Sequence, residues 1–138
     1  MSLEKISVLL AGSEPDLNQN LKEIIENSGG INIVGSSDSK KRILDLAKEL
    51  LPEVIVVDLG FAGDGLRASQ QLLKISPKSK IIVLSVYDYI GRVDIQTLPE
   101  DGQSALDSIQ WLSKNSKPAE LLELISHNDE RSKKRRLQ

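Results

Sequence analysis

Three side chains of different chemistry each stand at the end of a short apolar run: the carboxylate of Asp58, the hydroxyl of Ser85 and the ammonium of Lys114. If those runs are successive strands of one parallel sheet, the three groups converge on one spot. Open α/β sheets place their ligand sites outside the carboxyl ends of the strands. A fourth run ends in Ala11-Gly12-Ser13-Glu14-Pro15. Free amides at a helix start attract phosphate, so Gly12 and Ser13 could form an anion-binding turn. The plainer reading is a tight turn in which Ser13 caps the helix over Glu14-Pro15-Asp16. Other chemistry is excluded by composition. The chain has no Cys, which removes disulfides, thiolate metal sites and cysteine nucleophiles. Its single histidine, His127, lies near the C-terminus, which disfavours a histidine-based zinc site or catalytic triad.

These groups need a scaffold, and 138 residues suffice for about one domain. A chain of this length buries roughly two-thirds of its unfolded surface and needs no covalent staple. The only aromatic residues are Phe61, Tyr87, Tyr89 and Trp111, too few for a platform that stacks single-stranded bases. Eighteen basic against twenty acidic residues give a net charge of −2, too balanced to grip nucleic acid electrostatically. No apolar run approaches a membrane span, and no signal peptide precedes the first apolar run. The expectation is a soluble cytoplasmic domain without direct membrane or nucleic-acid contact.

Apolar runs at Ile6–Leu10, Ile31–Val34, Val54–Val57 and Ile81–Leu84 are short, rich in Val and Ile, and apolar on both faces. That pattern fits strands buried between helices in a parallel sheet. Helical stripes lie between them. Leu17, Leu21, Ile24, Ile25 and Ser28 share a face that Gly29-Gly30 ends. Ile43, Leu46, Ala47, Leu50 and Leu51 form a second stripe, with Asp38 or Ser39 as cap and Pro52 as stop. Ala68, Leu72 and Ile75 form a third, closed by Pro77, and Pro118, Leu121, Leu122 and Ile125 a fourth. Gly102, Ala105, Leu106 and Ile109 share another helical face, opened by Pro99-Glu100-Asp101. A short fifth strand is expected around Trp111–Ser113. Strand–helix alternation with short connections implies right-handed crossovers and a sheet covered on both faces. From Asp129 the composition turns strongly charged, with five basic residues between Arg131 and Arg136. Residues 127–138 read as a charged tail or linker, and 4–126 as the domain.

On these residues the chain resembles the receiver domain of bacterial two-component response regulators. The strongest stretches are PEVIVVDLGFAGDGL (52–66), IIVLSVYD (81–88) and LSKNSKPAELLELI (112–125). The resemblance covers roughly residues 4–126 and is greatest to receivers that precede a helix-turn-helix domain. It implies a flavodoxin-like (βα)5 fold, a three-layer doubly wound sheet of strand order 2-1-3-4-5. It also assigns roles. Asp58 stands at the phosphoacceptor position. Ser85 stands where a hydroxyl contacts the phosphoryl oxygens, Lys114 where an ammonium pairs with them, and Trp111 at the aromatic switch position. It implies a signalling domain rather than an enzyme.

Departures from the family pattern change the expectation. The family carries two adjacent acids after the first strand to organise a divalent metal, and Gly12 and Ser13 occupy those positions here. Magnesium wants near-octahedral oxygen ligands and leans on one or two carboxylates. With Asp58 beside Lys114 the local formal charge is near zero, so Mg²⁺ binding is expected to be weak or absent and no cofactor is expected. Glu14 is the one nearby acid, at a position that generally points away from the site. Ser85 and Lys114 are 29 positions apart, longer than usual in the family, which points to an irregular fourth-helix region. Phe61-Ala62 replaces a common Met-Pro pair. The expected function is a degenerate receiver that signals by protein–protein contact without depending on phosphorylation. Its partner would be a sensor kinase, output domain or regulator held through the Tyr87–Ile125 region, or a second copy in a homodimer. Two alternatives stay open: a working phosphoacceptor phosphorylated on Asp58, or the receiver part of a helix-turn-helix transcription regulator. A flavin or nucleotide carrier on the same fold is disfavoured, because the first loop lacks a Ser/Thr-Gly-rich cradle. Plainer readings stand beside each role. Asp58 can be a structural carboxylate held by Lys114, Ser85 a strand-end hydroxyl satisfying backbone groups, and Trp111 a core aromatic.

Overall fold

Runs of Val and Ile lose little by adopting extended backbone, and they pack well on both faces of a pleated surface. In the computed structural model, which describes residues 5–12, 15–61, 65–85, 109–113 and 118–126, each such run is a strand. The elements alternate: β1 (Ile6–Ala11), α1 (Pro15–Asn27), β2 (Ile31–Ser37), α2 (Lys40–Leu50), β3 (Val54–Asp58), α3 (Gly65–Ile75), β4 (Lys80–Ser85) and β5 (Ile109–Ser113). A further helix spans 118–126. The five strands form one parallel sheet in the order β2-β1-β3-β4-β5.

Side chains alternate across the sheet and feed two apolar layers. Leu9, Ala11, Ile55, Val57, Ile81 and Val83 face α2 and α3, where they meet Ile43, Ala47, Phe61, Ala68 and Leu72. Val8, Leu10, Val54, Val56, Ile82 and Leu84 face the opposite way and meet Ile25 of α1 with Leu121 and Ile125 of the 118–126 helix. The result is the expected flavodoxin-like, three-layer, doubly wound architecture.

Local signals set the helix ends. Ser39, rather than Asp38, is the α2 cap: its backbone is extended (φ −98°, ψ 124°) and its hydroxyl accepts from the Arg42 amide at 3.4 Å. Gly29 and Gly30 turn the chain out of α1 with φ near +77° and +76°, a region open to glycine.

Three expectations are corrected. Leu50 and Leu51 do not belong to the buried stripe of α2: they are 40% and 60% exposed, and Leu51 is the left-handed C-cap (φ 45°, ψ 59°). Ile109 does not lie on a helical face with Ala105 and Leu106. It is buried in β5 in register with Ile81, because its apolar side chain extends the α2/α3 layer to the sheet edge. Strand β2 also runs three residues past Val34, to Ser37, with a register shift opposite Val8 and Leu9. The irregular fourth-helix region, Tyr87 and the 127–138 tail lie outside the described residues. Among the described residues no helix is long and apolar enough to cross a membrane.

Candidate functional site

The strand register brings the singled-out residues to one edge. Asp58 ends β3 and is in register with Leu84, so Ser85 is the next residue of the neighbouring strand. Ser85 in turn is in register with Ser113, the last residue of β5. On the other side of β3, Ala11 is in register with Val57, and Gly12 follows it. Gly12, Asp58 and Ser85 therefore share the carboxyl edge of three adjacent strands. Trp111 lies in β5 in register with Val83. Ser13, Glu14, Lys114 and His127 lie outside the described residues.

Asp58 is 3% exposed, so its carboxylate depends on protein partners for solvation. Its Oδ1 accepts a long hydrogen bond of 3.4 Å from the Gly60 amide. The backbone around it is held on both sides. The Leu59 amide donates to Leu84 O at 2.8 Å, which ties the end of β3 to β4. The Gly65 amide donates to Leu59 O at 2.7 Å, which closes the loop back on the acid. A Cβ on Gly65 would collide with the carbonyl oxygen of Asp58 and stand 2.6 Å from that of Leu59. On the β1 side the Gly12 amide donates to Ser37 O at 3.3 Å, so it is engaged with the end of β2. Phe61, three residues after the acid, is fully buried in the α2/α3 layer and anchors the loop from below.

Two residues that spacing and motif do not single out matter here. Gly65 has a usable signal, since Asp64-Gly65 is a turn dipeptide directly after a strand and its loop. Lys80 has none. Between Ser79 and the apolar IIVLS run it looks like a solvated charge, yet it is 6% exposed and its ammonium donates to Leu124 O at 2.8 Å.

An acid closing the central strand of a flavodoxin-like sheet, with a hydroxyl residue beside it on the next strand, defines a class of α/β domain with its site at the carboxyl edge. Comparison with known proteins narrows that class. No protein-family model matches the chain. It is 28% identical over 123 residues to the nitrate/nitrite response regulator protein NarL of Escherichia coli K12, covering 88% of this chain and 54% of that protein. It is 31% identical over 121 residues to the transcriptional regulatory protein LiaR of Bacillus subtilis, covering 87% of this chain and 54% of that protein. Its fold matches that of the Francisella response regulator 1452 receiver domain with a TM-score of 0.74 at 23% identity, over 93% of this chain and 99% of that one. The chain has the fold of response-regulator receiver domains and is similar in sequence to response regulators over most of its length. It spans about half the length of these curated relatives.

Among the described residues, the side chains at this edge offer few oxygen donors to a divalent cation. Gly12 has no side chain to offer and its amide already serves Ser37 O. Among the described residues no group of three or more His, Cys, Asp or Glu side chains stands together. Asp58 is the one carboxylate among the described residues at this edge, and a single carboxylate falls short of the several hard oxygen ligands in octahedral array that such an ion wants.

Proposed function

We propose that this chain is an atypical receiver domain that works in signal transduction through protein–protein contact, without dependence on phosphorylation. The observation that supports the reading is the end of β1, where Gly12 offers no carboxylate beside Asp58; on the resemblance, Gly12 and Ser13 would stand where the family carries its metal acids and Asp58 where it carries the acceptor. Transfer of a phosphoryl group to Asp58 brings a carboxylate against a multiply charged donor. Stabilising the charge that develops does most to lower the barrier of such a reaction, and a metal ion supplies much of that stabilisation. Here Asp58 has a glycine amide at 3.4 Å on Oδ1 and no second acid beside it at Gly12. Ser85 and Lys114 would hold anion oxygens and offset their charge, but neither recruits a cation. Trp111 then serves as a strand residue near the edge rather than as a reporter of phosphorylation.

The partner surface is the Tyr87–Ile125 region, of which β5 and the 118–126 helix are described. Pro118, Ala119, Glu120 and Glu123 present an exposed face there. A sensor kinase, an output domain, a regulator or a second copy of the chain are the partners that fit this reading, in the cytoplasm. The relatives support a second, compatible reading: the chain is similar to the transcriptional regulatory protein LiaR over about half of that protein's length, and would act as the receiver part of such a regulator. The DNA-reading part would then lie outside residues 4–126, and the basic 127–138 tail would be its linker.

Intact mass after incubation with acetyl phosphate and Mg²⁺ tests the proposal, with Asp58→Asn as control. The expected result is no adduct on either protein. An adduct on the unsubstituted chain that Asp58→Asn abolishes would overturn phosphorylation independence and make the domain a working switch.

A further inference from the structure

Burying an ammonium is costly unless it is hydrogen-bonded, so a buried lysine on an apolar strand calls for a reason. Lys80 opens β4, in register with Val54, and only 6% of it is exposed. Its amide donates to Glu53 O at 2.9 Å, which pins its backbone to the start of β3. Its ammonium reaches across the layer to Leu124 O at 2.8 Å. Leu124 sits between Leu121 and Ile125, the two buried residues of the 118–126 helix, and packs with them on the layer formed by β1, β3 and β4. Apolar contacts of that kind hold a helix down but are non-directional, and they leave its rotation and axial position loosely determined. A charge-assisted hydrogen bond at a fixed carbonyl is directional. A cation near the carboxyl-terminal part of a helix is also favourable to its dipole.

We propose that Lys80 is a positioning latch. Its buried ammonium fixes the rotation and axial position of the 118–126 helix on the sheet. The latch is carried by β4, the same strand whose Leu84 carbonyl receives the amide next to Asp58. One six-residue strand therefore holds the candidate site at its carboxyl end and the 118–126 helix at its amino end. The inference does not depend on whether Asp58 is ever phosphorylated.

The test is amide hydrogen exchange across 118–126 in the whole chain, comparing unsubstituted protein with Lys80→Met and Lys80→Arg. A hydrogen bond from a charged donor contributes enough that its loss is expected to speed exchange there about tenfold or more. Methionine fills similar volume without a charge, so global stability should stay near that of the parent while the helix loosens. Lys80→Arg, which retains donors, should restore most of the protection. Ile55→Val, a mild core change remote from Leu124, should not reproduce the local effect. Unchanged exchange in Lys80→Met, or equal loosening in Ile55→Val, would overturn the proposal. A second measurement needs no variant. A hydrogen-bonded buried ammonium exchanges its protons slowly, so the Lys80 ¹⁵N–¹H signal should be visible by NMR with contacts to Leu124. Its absence, with the exposed lysine ammonium groups as reference, would also sink the latch.

Discussion

A methyl group at position 65 has no room. Gly65 lies so close to the carbonyl oxygens of Asp58 and Leu59 that a Cβ would strike backbone on both, and backbone cannot swing aside as a side chain can. Its φ is not in the left-handed region, so the requirement is close approach rather than conformational freedom. The consequence is specific to the candidate site, because the Gly65 amide also closes the loop through Leu59 O. Gly65→Ala is expected to destabilise the fold by about 1–3 kcal/mol, the usual range for overpacking. Urea unfolding measures this, and a loss under about 0.5 kcal/mol would show that the loop relaxes freely. Asp58 and Ser85 were legible as single residues because each closes an apolar run. Gly65 was half legible from its dipeptide. Lys80 was not legible at all, since nothing in a sequence distinguishes a lysine that bonds a distant carbonyl from one in water.

At the scale of elements, α2 shows how local and tertiary demands diverge. Its start follows residue chemistry: the Ser39 hydroxyl takes the Arg42 amide, and the Ser37 hydroxyl accepts from the Ser39 amide at 3.0 Å. Its end does not. Leu51 occupies a left-handed C-cap that glycine or asparagine usually fills, with its amide on Ala47 O, and its side chain is 60% exposed. A Cβ in that region costs roughly 1–2 kcal/mol. Leu51→Gly is therefore expected to raise stability by about 0.5–1 kcal/mol, after the entropy that glycine adds to the unfolded chain is subtracted. A fall in stability on chemical denaturation would mean that the half-exposed leucine makes contacts worth more than its backbone strain. The apolar stripe Ile43–Ala47 was readable from its spacing, but periodicity alone carried it two residues too far. Leu50 and Leu51 continue the spacing of the stripe after the chain has turned away from the sheet.

At the scale of the whole molecule, two apolar layers share one sheet. Ile55 and Val57 of β3 serve the α2/α3 layer, while Val54 and Val56 serve the layer of α1 and the 118–126 helix. Leu72→Ala and Ile125→Ala, one in each layer and both fully buried, should each cost about 3 kcal/mol. Because the central strands belong to both layers, each variant should still unfold in one transition, with far-UV circular dichroism and Trp111 fluorescence coincident. Two separated transitions would show that the layers are independently cooperative. The sequence by itself determined the alternation of strands and helices, a parallel sheet covered on both faces, and the acid and hydroxyl at the strand ends, while the strand order came only from the resemblance to receiver domains. Those follow from short-range rules: apolar periodicity, caps, and the right-handed crossover that leaves few topologies. Only the tertiary structure decided that Ile109 is strand and not helix, since a single isoleucine has no period and takes its state from the neighbour it packs on. Only the tertiary structure joined Lys80 to Leu124, 44 positions apart, and set Gly65 against Asp58. Contacts of that kind arise when the sheet brings distant backbone into register, and no local pattern encodes them.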